Sequence, residues 1–284
     1  MRRGNCSSTI LAASAAAALL LAPALAGAVQ PRDYFLDPPT PGTFAHLDAY
    51  TVGAQTSLEY RAHLEEGMSM FHFRASGIMS LPYAESSVNV DTRVFLFTLG
   101  GSAAYRHVYR NHTFEPGEDA SWQARKDREA DKDWDSQSYE WYEGRLRMTV
   151  PLDSFFMVNT GTIRHENGQD RSFDWFHVNV HDAGTLYKFD SVLFFRHRDF
   201  GAIGPSFRYL SSPKTDANGV QKRDGEIAYG FTFGTRPGLV SKRGGNTDLA
   251  LVNMLFSFGD DEFGFHGYPI PWYLLAVYRA SLKL

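Results

Sequence analysis

Between residues 49 and 64 the chain reads AYTVGAQTSLEYRAHL, and its positions sort by parity. Tyr50, Val52, Ala54, Thr56, Leu58, Tyr60, Ala62 and Leu64 form one set, apolar with a tyrosine near each end. Thr51, Gly53, Gln55, Ser57, Glu59, Arg61 and His63 form the other, which is polar or small. Alternate side chains of a strand point to opposite faces, so the stretch predicts a strand with one apolar face and one polar face. It is longer than the roughly 5–6 residues of an ordinary strand and reaches the roughly 9–11 that a tilted strand needs to cross a bilayer. The pattern recurs. Phe71, Phe73, Ala75, Gly77, Met79 and Leu81 alternate with a set that includes His72, Arg74, Ser76 and Ser80, and Tyr142, Gly144, Leu146, Met148 and Val150 alternate with Glu143, Arg145, Arg147 and Thr149. Ile227, Tyr229, Phe231 and Phe233 alternate with small residues, and the last strand sets Trp272, Leu274, Ala276, Tyr278, Ala280, Leu282 and Leu284 against Arg279, Ser281 and Lys283.

Long dyad repeats with aromatic ends are the pattern of transmembrane β-barrel strands; a soluble β-sandwich is the rival fold. Further strands are predicted over 155–163, 173–181 and 249–258. Over 88–109 the parity slips near Val94, which a bulge would explain, and 186–210 reads as one long bent strand. The expectation is an all-β fold, a single antiparallel up-and-down transmembrane β-barrel of about ten strands, with twelve as the alternative. Because such barrels have short periplasmic turns and longer outer loops, outer loops are expected at 65–67, 111–137, 166–171, 211–225 and 259–271. Turns at the periplasmic end are expected at 82–87, 151–154, 182–185 and 236–247. The closing segment WYLLAVYRASLKL resembles the C-terminal assembly signal of bacterial outer-membrane barrels, although that family usually ends in an aromatic residue where this chain has Leu284. The resemblance implies a place in the bacterial outer membrane, outer-membrane lipids as surroundings, and the barrel-assembly machinery as a partner.

The N-terminus adds an export signal to this picture. Arg2 and Arg3 precede an apolar run from Ile10 to Leu21, and Pro23 leads into the small-x-small steps Ala24-Leu25-Ala26 and Ala26-Gly27-Ala28, the features of a cleaved signal peptide. Residues 1–28 are therefore expected to be a signal peptide. Residues 29–44, with Pro31, Pro38, Pro39 and Pro41, form an irregular segment, and 45–284 the barrel. Cys6 is the single cysteine and falls within the signal, so the mature chain has no disulfide or thiolate chemistry. The 28 basic and 32 acidic residues give a formal net charge of −4; loss of Arg2 and Arg3 leaves 26 against 32, or −6. That balance argues against nucleic acid as a partner.

Candidate chemistry is sparse. Glu59, Arg61, Arg74, Asp91, Arg93, Glu143, Arg145 and Arg147 share the polar faces and are expected to form a lumen network. Asp131, Asp133 and Asp135 alternate in DKDWDS. A calcium loop would need glycine where Ser136 stands and glutamate where Tyr142 stands. The same six residues are similar to the acidic active-site stretch of omptin surface proteases, which are ten-stranded barrels; the resemblance implies that Asp131 and Asp133 position a water. That family also uses an Asp-x-His pair, which this sequence lacks. His177, Asn179 and His181 fall on one face of the strand expected over 173–181, but a straight strand separates the two histidine backbones by about 13 Å, too far for a shared metal. No metal or cofactor is expected, and no reaction is identified. No G-x-S-x-G and no G-x-x-x-x-G-K-[ST] occurs. Three roles remain: a structural or interaction barrel displaying charged loops to an unknown surface ligand, a narrow channel for small solutes or ions, and a surface hydrolase acting on lipid or peptide.

Overall fold

The computed structural model describes residues 40–284 except positions 52, 66–68, 153, 169–170, 176, 198–200, 241–242, 259–261 and 264–271. In chain order the strands are β1 (Gly42–Tyr50), β2 (Gly53–Glu65), β3 (Ser69–Ser80), β4 (Tyr83–Val94), β5 (Phe97–Asn111), β6 (Asp135–Leu152), β7 (Phe155–Asn167), β8 (Ser172–Asp174), β9 (Asn179–His181), β10 (Gly184–His197), β11 (Gly201–Thr215), β12 (Gln221–Thr235), β13 (Thr247–Ser257) and β14 (Trp272–Lys283). All except β8 and β9 form one closed antiparallel barrel, in which each strand pairs with the next and β14 pairs back onto β1. β8 and β9 make a separate two-stranded sheet. A helix, α1 (Trp122–Asp131), stands between β5 and β6, capped by Ser121. None of the described helices is long and apolar enough to cross a membrane.

The barrel has twelve strands, not ten, and four local features account for the difference. The run at 49–64 is broken after Tyr50, so its start belongs to β1, which begins at Gly42; Val52 lies outside the described residues. Over 88–109 the parity slip is a tight turn and not a bulge: Phe95 adopts φ +56° and β4 pairs directly with β5, Val94 opposite Phe97. The stretch 186–210 is two antiparallel strands, β10 and β11, with His197 opposite Gly201. Residues 173–181 leave the wall to form the β8–β9 hairpin.

These changes also exchange the ends at which some turns fall. The connections 112–134, 168–183, 216–220 and 258–271 lie, with the short turns 51–52 and 81–82, at the end opposite Gly42 and Lys283. The connections 66–68, 95–96, 153–154, 198–200 and 236–246 share the end of Gly42 and Lys283. Connections 65–67, 82–87 and 182–185 therefore sit at the ends opposite to those expected.

Burial follows parity along the wall. In β2, Leu58 is 53 % exposed and its neighbour Glu59 only 4 %. Leu47, Phe73, Leu99, Leu146, Ile163 and Phe231 are likewise exposed large apolar side chains on wall strands. An apolar exterior over charged inward positions is stable only against hydrocarbon, where a closed barrel also leaves no backbone edge unpaired. Arginine near a barrel's midplane costs about 2–4 kcal/mol. Leu58→Arg is expected to lower the unfolding free energy in lipid vesicles by that amount, whereas Val220→Arg, in an exposed connection, should leave it unchanged. Equal urea-unfolding curves for the two variants would overturn the outward placement of Leu58.

Candidate functional site

The end of the lumen nearest the chain termini is filled by charge. Glu59 is buried and accepts hydrogen bonds from His46 Nε2 at 2.8 Å, from His72 Nδ1 at 3.1 Å and from Arg61 Nε. Arg74 Nε lies 3.7 Å from the same carboxylate, and the Arg61 guanidinium rests on the Phe44 ring at 4.6 Å. Across the β14–β1 seam, Arg279 donates to both oxygens of Asp48 at 2.7 and 2.6 Å. A second group forms over β4, β5 and β6, where Arg145 Nη2 donates to Asp91 Oδ1 at 2.7 Å and Arg145 Nη1 lies 3.5 Å from Glu143 Oε1. Gly100 stands between Asp91 and Arg145 in the ladder. A Cβ there would lie 1.8 Å from Asp91 Oδ1, so a larger residue would push the Asp91 carboxylate out of this position. Arg93 is buried and Arg147 half-buried on the same inward parity.

The opposite mouth is closed by the connections. Phe114 and Ala120 from the 112–134 connection, Phe173, Val178 and Val180 from the β8–β9 hairpin, and Phe263 from the 258–271 connection pack on Ala228 and Leu255 of the barrel wall. Arg125 of α1 is buried, with its guanidinium 4.2 Å from the Phe173 ring. Arg128 donates to the Thr113 carbonyl at 2.8 Å. The acidic and basic connection is thus an ordered cap.

Beneath this cap lies a cluster that the sequence pattern did not suggest. Glu166 of β7, Asp174 of β8, His177 of the turn that follows it and His181 of β9 are all buried, and one ligand-capable atom from each lies within 4.8 Å of the others. His177 Nδ1 bonds Asp174 Oδ2 at 2.5 Å, and His181 Nε2 is 3.5 Å from the same oxygen and 4.0 Å from Glu166 Oε2. The premise that separated the histidines fails because the chain does not run straight. Val178 takes φ +63°, its N–H bonds the Asp174 carbonyl at 2.7 Å, and the two imidazole centroids come within 6.0 Å. A β-branched residue in the left-handed region is an outlier that costs on the order of 1–3 kcal/mol, and no residue type announces it in the sequence.

The cluster's outer partners are arginines. Arg106 donates to Glu85 Oε2 at 2.7 Å and to Asp174 Oδ1 at 3.0 Å. Arg164 Nε lies 2.7 Å from Glu166 Oε1 and its guanidinium stacks on Trp141 at 4.0 Å. Burial pushes the His177 imidazole well below its ordinary range, against the opposing pull of Asp174. Burial also lowers His181, but the Asp174 hydrogen bond and the charge of Glu166 outweigh it, so the net shift is upward. The set offers imidazole and carboxylate donors, suited to holding a proton or a divalent transition metal. Asp131 and Asp133 are not brought to it. Asp131 ends α1 and both are exposed; Asp133 lies 3.7 Å from Arg128.

No protein-family model matches the chain, and no curated protein matches it. Among solved structures it resembles LpxR from Salmonella typhimurium, at 9 % identity over 86 % of this chain and 100 % of that one, with a TM-score of 0.40. It also resembles the translocator domain of autotransporter NalP from Neisseria meningitidis (12 % identity, 95 % and 98 % covered, TM-score 0.39). A third is the KdgM porin in complex with disordered oligogalacturonate (8 % identity, 84 % and 95 %, TM-score 0.35). The chain's own geometry, a closed antiparallel barrel with an apolar exterior and a charged interior, defines its class as a bacterial outer-membrane β-barrel.

Removing one partner of a buried ion pair costs about 3–5 kcal/mol. Glu59→Ala, which removes the carboxylate that Arg61 and Arg74 face inside the wall, is expected to lose that much stability in urea titrations, whereas Asp133→Ala should stay within about 0.5 kcal/mol of the parent. Comparable losses would show that the exposed acid has a partner the structure does not reveal.

Proposed function

We propose that this protein is an occluded barrel with a structural or interaction role, presenting an ordered, charged cap outside the cell and conducting nothing through its lumen. The observation that carries the reading is the apolar packing of Phe114, Phe173, Val178 and Val180 against Ala228 and Leu255 inside the mouth. Twelve strands enclose more space than the eight that side chains alone can fill, and porins of sixteen to eighteen leave a water channel. The intermediate width is occupied from one side by ion pairs and from the other by three connections. The outward set of α1, including Gln123, Lys126 and Asp127, is exposed and is the surface offered to a partner. The alternation of long and short connections supports placing this cap outside and the strand termini in the periplasm.

Purified protein in planar bilayers is expected to show no resolved conductance steps. Deletion of residues 170–182, which removes the β8–β9 hairpin, should introduce them. Steps in the parent protein would instead support a narrow channel. Orientation has its own check. Because the mature chain has no cysteine, Asn218→Cys on intact cells should react with a membrane-impermeant maleimide. Leu239→Cys, exposed at the opposite end, should react only after the outer membrane is opened. The reverse result would invert the topology.

A further inference from the structure

We infer that Glu166, Asp174, His177 and His181 form a binding site for one divalent transition-metal ion of the zinc class, which fastens the β8–β9 hairpin to the barrel wall. The inference stands whether or not the barrel conducts.

Glu166 Oε2 and His181 Nε2 are buried 4.0 Å apart, and neither meets a well-formed hydrogen-bond partner among the described residues. The side chains of Glu166 and His181 are 0 % exposed. A carboxylate sealed from water carries a large desolvation cost; Arg164 Nε pairs with Oε1 at 2.7 Å, and Oε2 is turned toward His181. Asp174 is arranged in the same way: Arg106 holds Oδ1, and Oδ2 faces both imidazoles. Each acid thus has one oxygen fixed by an arginine and the other directed at a common point.

The histidine geometry agrees. His181 Nδ1 bonds the Asp182 carbonyl at 3.0 Å. A carbonyl can only accept, so Nδ1 carries the proton and a neutral His181 presents its Nε2 lone pair to the cluster. Metal-bound histidines are oriented by that kind of outer bond. His177 supplies Nδ1 once its proton moves to Nε2. Zinc bonds of about 2.0–2.2 Å in tetrahedral array set ligand atoms roughly 3.4 Å apart. The separations of 2.5, 3.5 and 4.0 Å around Asp174 Oδ2 and His181 Nε2 bracket that value, so small side-chain rotations bring the four donors to one ion. Two imidazoles and two carboxylates favour zinc or its neighbours over magnesium or calcium, which take oxygen ligands. The rival occupant of the same space is a proton on His181, shared between the acids.

The test uses the full chain extracted from outer membranes, stripped with a strong chelator, checked for folding by its gel shift on heating, and titrated with zinc alone. We expect about one zinc per chain by mass spectrometry, stable to dialysis. His177→Gln and His181→Gln should each lose it, and His165→Gln, an exposed wall residue that bonds Thr185, should retain it. Zinc absorption-edge spectroscopy on the parent protein needs no variant to fold; a first shell with two imidazole nitrogens supports the site. Folded parent protein that retains no zinc, a first shell of oxygen only, or zinc retained equally by folded His177→Gln and His181→Gln would each overturn it and leave the shared proton as the occupant.

Discussion

Closure of β14 onto β1 is the pairing on which the rest depends. An open sheet in hydrocarbon would expose a full row of backbone donors and acceptors, each unsatisfied group costing several kcal/mol. The seam runs from Phe44 opposite Lys283 to Tyr50 opposite Val277, and side chains secure it from within. Asp48 on β1 takes both bonds of Arg279 on β14, and His46 Nδ1 is 2.8 Å from Ser281 Oγ. His46 also binds Glu59 through its other nitrogen, so the seam is tied to the ion-pair group on β2 and β3. Closure and filling of the lumen are thus one construction.

Once closed, the wall sets opposite demands on its two faces. Outside, only apolar side chains survive; inside, no water-filled width can be left open without making a pore. The chain meets the inner demand by two means. Near the termini, arginines and acids pair across neighbouring strands, with Asp190–Arg208 at 2.9 Å adding to the Glu59 and Asp91 groups. Near the other mouth, the apolar side chains of three connections are turned inward. The layer between them is where Arg106 joins Glu85 of the wall to Asp174 of the hairpin.

What the sequence made legible follows from this division. Parity is imposed by the bilayer on every wall strand, so Leu58 outward and Glu59 inward could be read directly, as could the apolar sets of β3, β6 and β14. Turns that keep the parity are invisible to it. Thr51 sits in a turn inside a run that alternates without a break, and the step at Phe95 mimics a bulge because both shift the register by one. Strand number was misjudged at those places. The hairpin was missed for the converse reason: Phe173 to His181 alternates as a wall strand would, yet its apolar residues enter the mouth. The acid–histidine cluster depends on Val178 reversing the chain and on Glu166 arriving from β7, and neither is a property of local spacing.

The charge count around that cluster gives the last step. Glu85, Glu166 and Asp174 bring three carboxylates, and Arg106 and Arg164 bring two guanidinium groups, all of them buried. Arg106 serves Glu85 and Asp174 together, and Arg164 serves Glu166. The oxygens facing the imidazoles, Asp174 Oδ2 and Glu166 Oε2, are not the ones paired with Arg106 Nη1 and Arg164 Nε. In a water-excluded layer carboxylates are costly unless neutralised; a proton or a metal ion between the acids and the histidines would relieve that cost. Either would bridge β7 to the β8–β9 hairpin, so the group that neutralises the charge also holds the cap in the barrel.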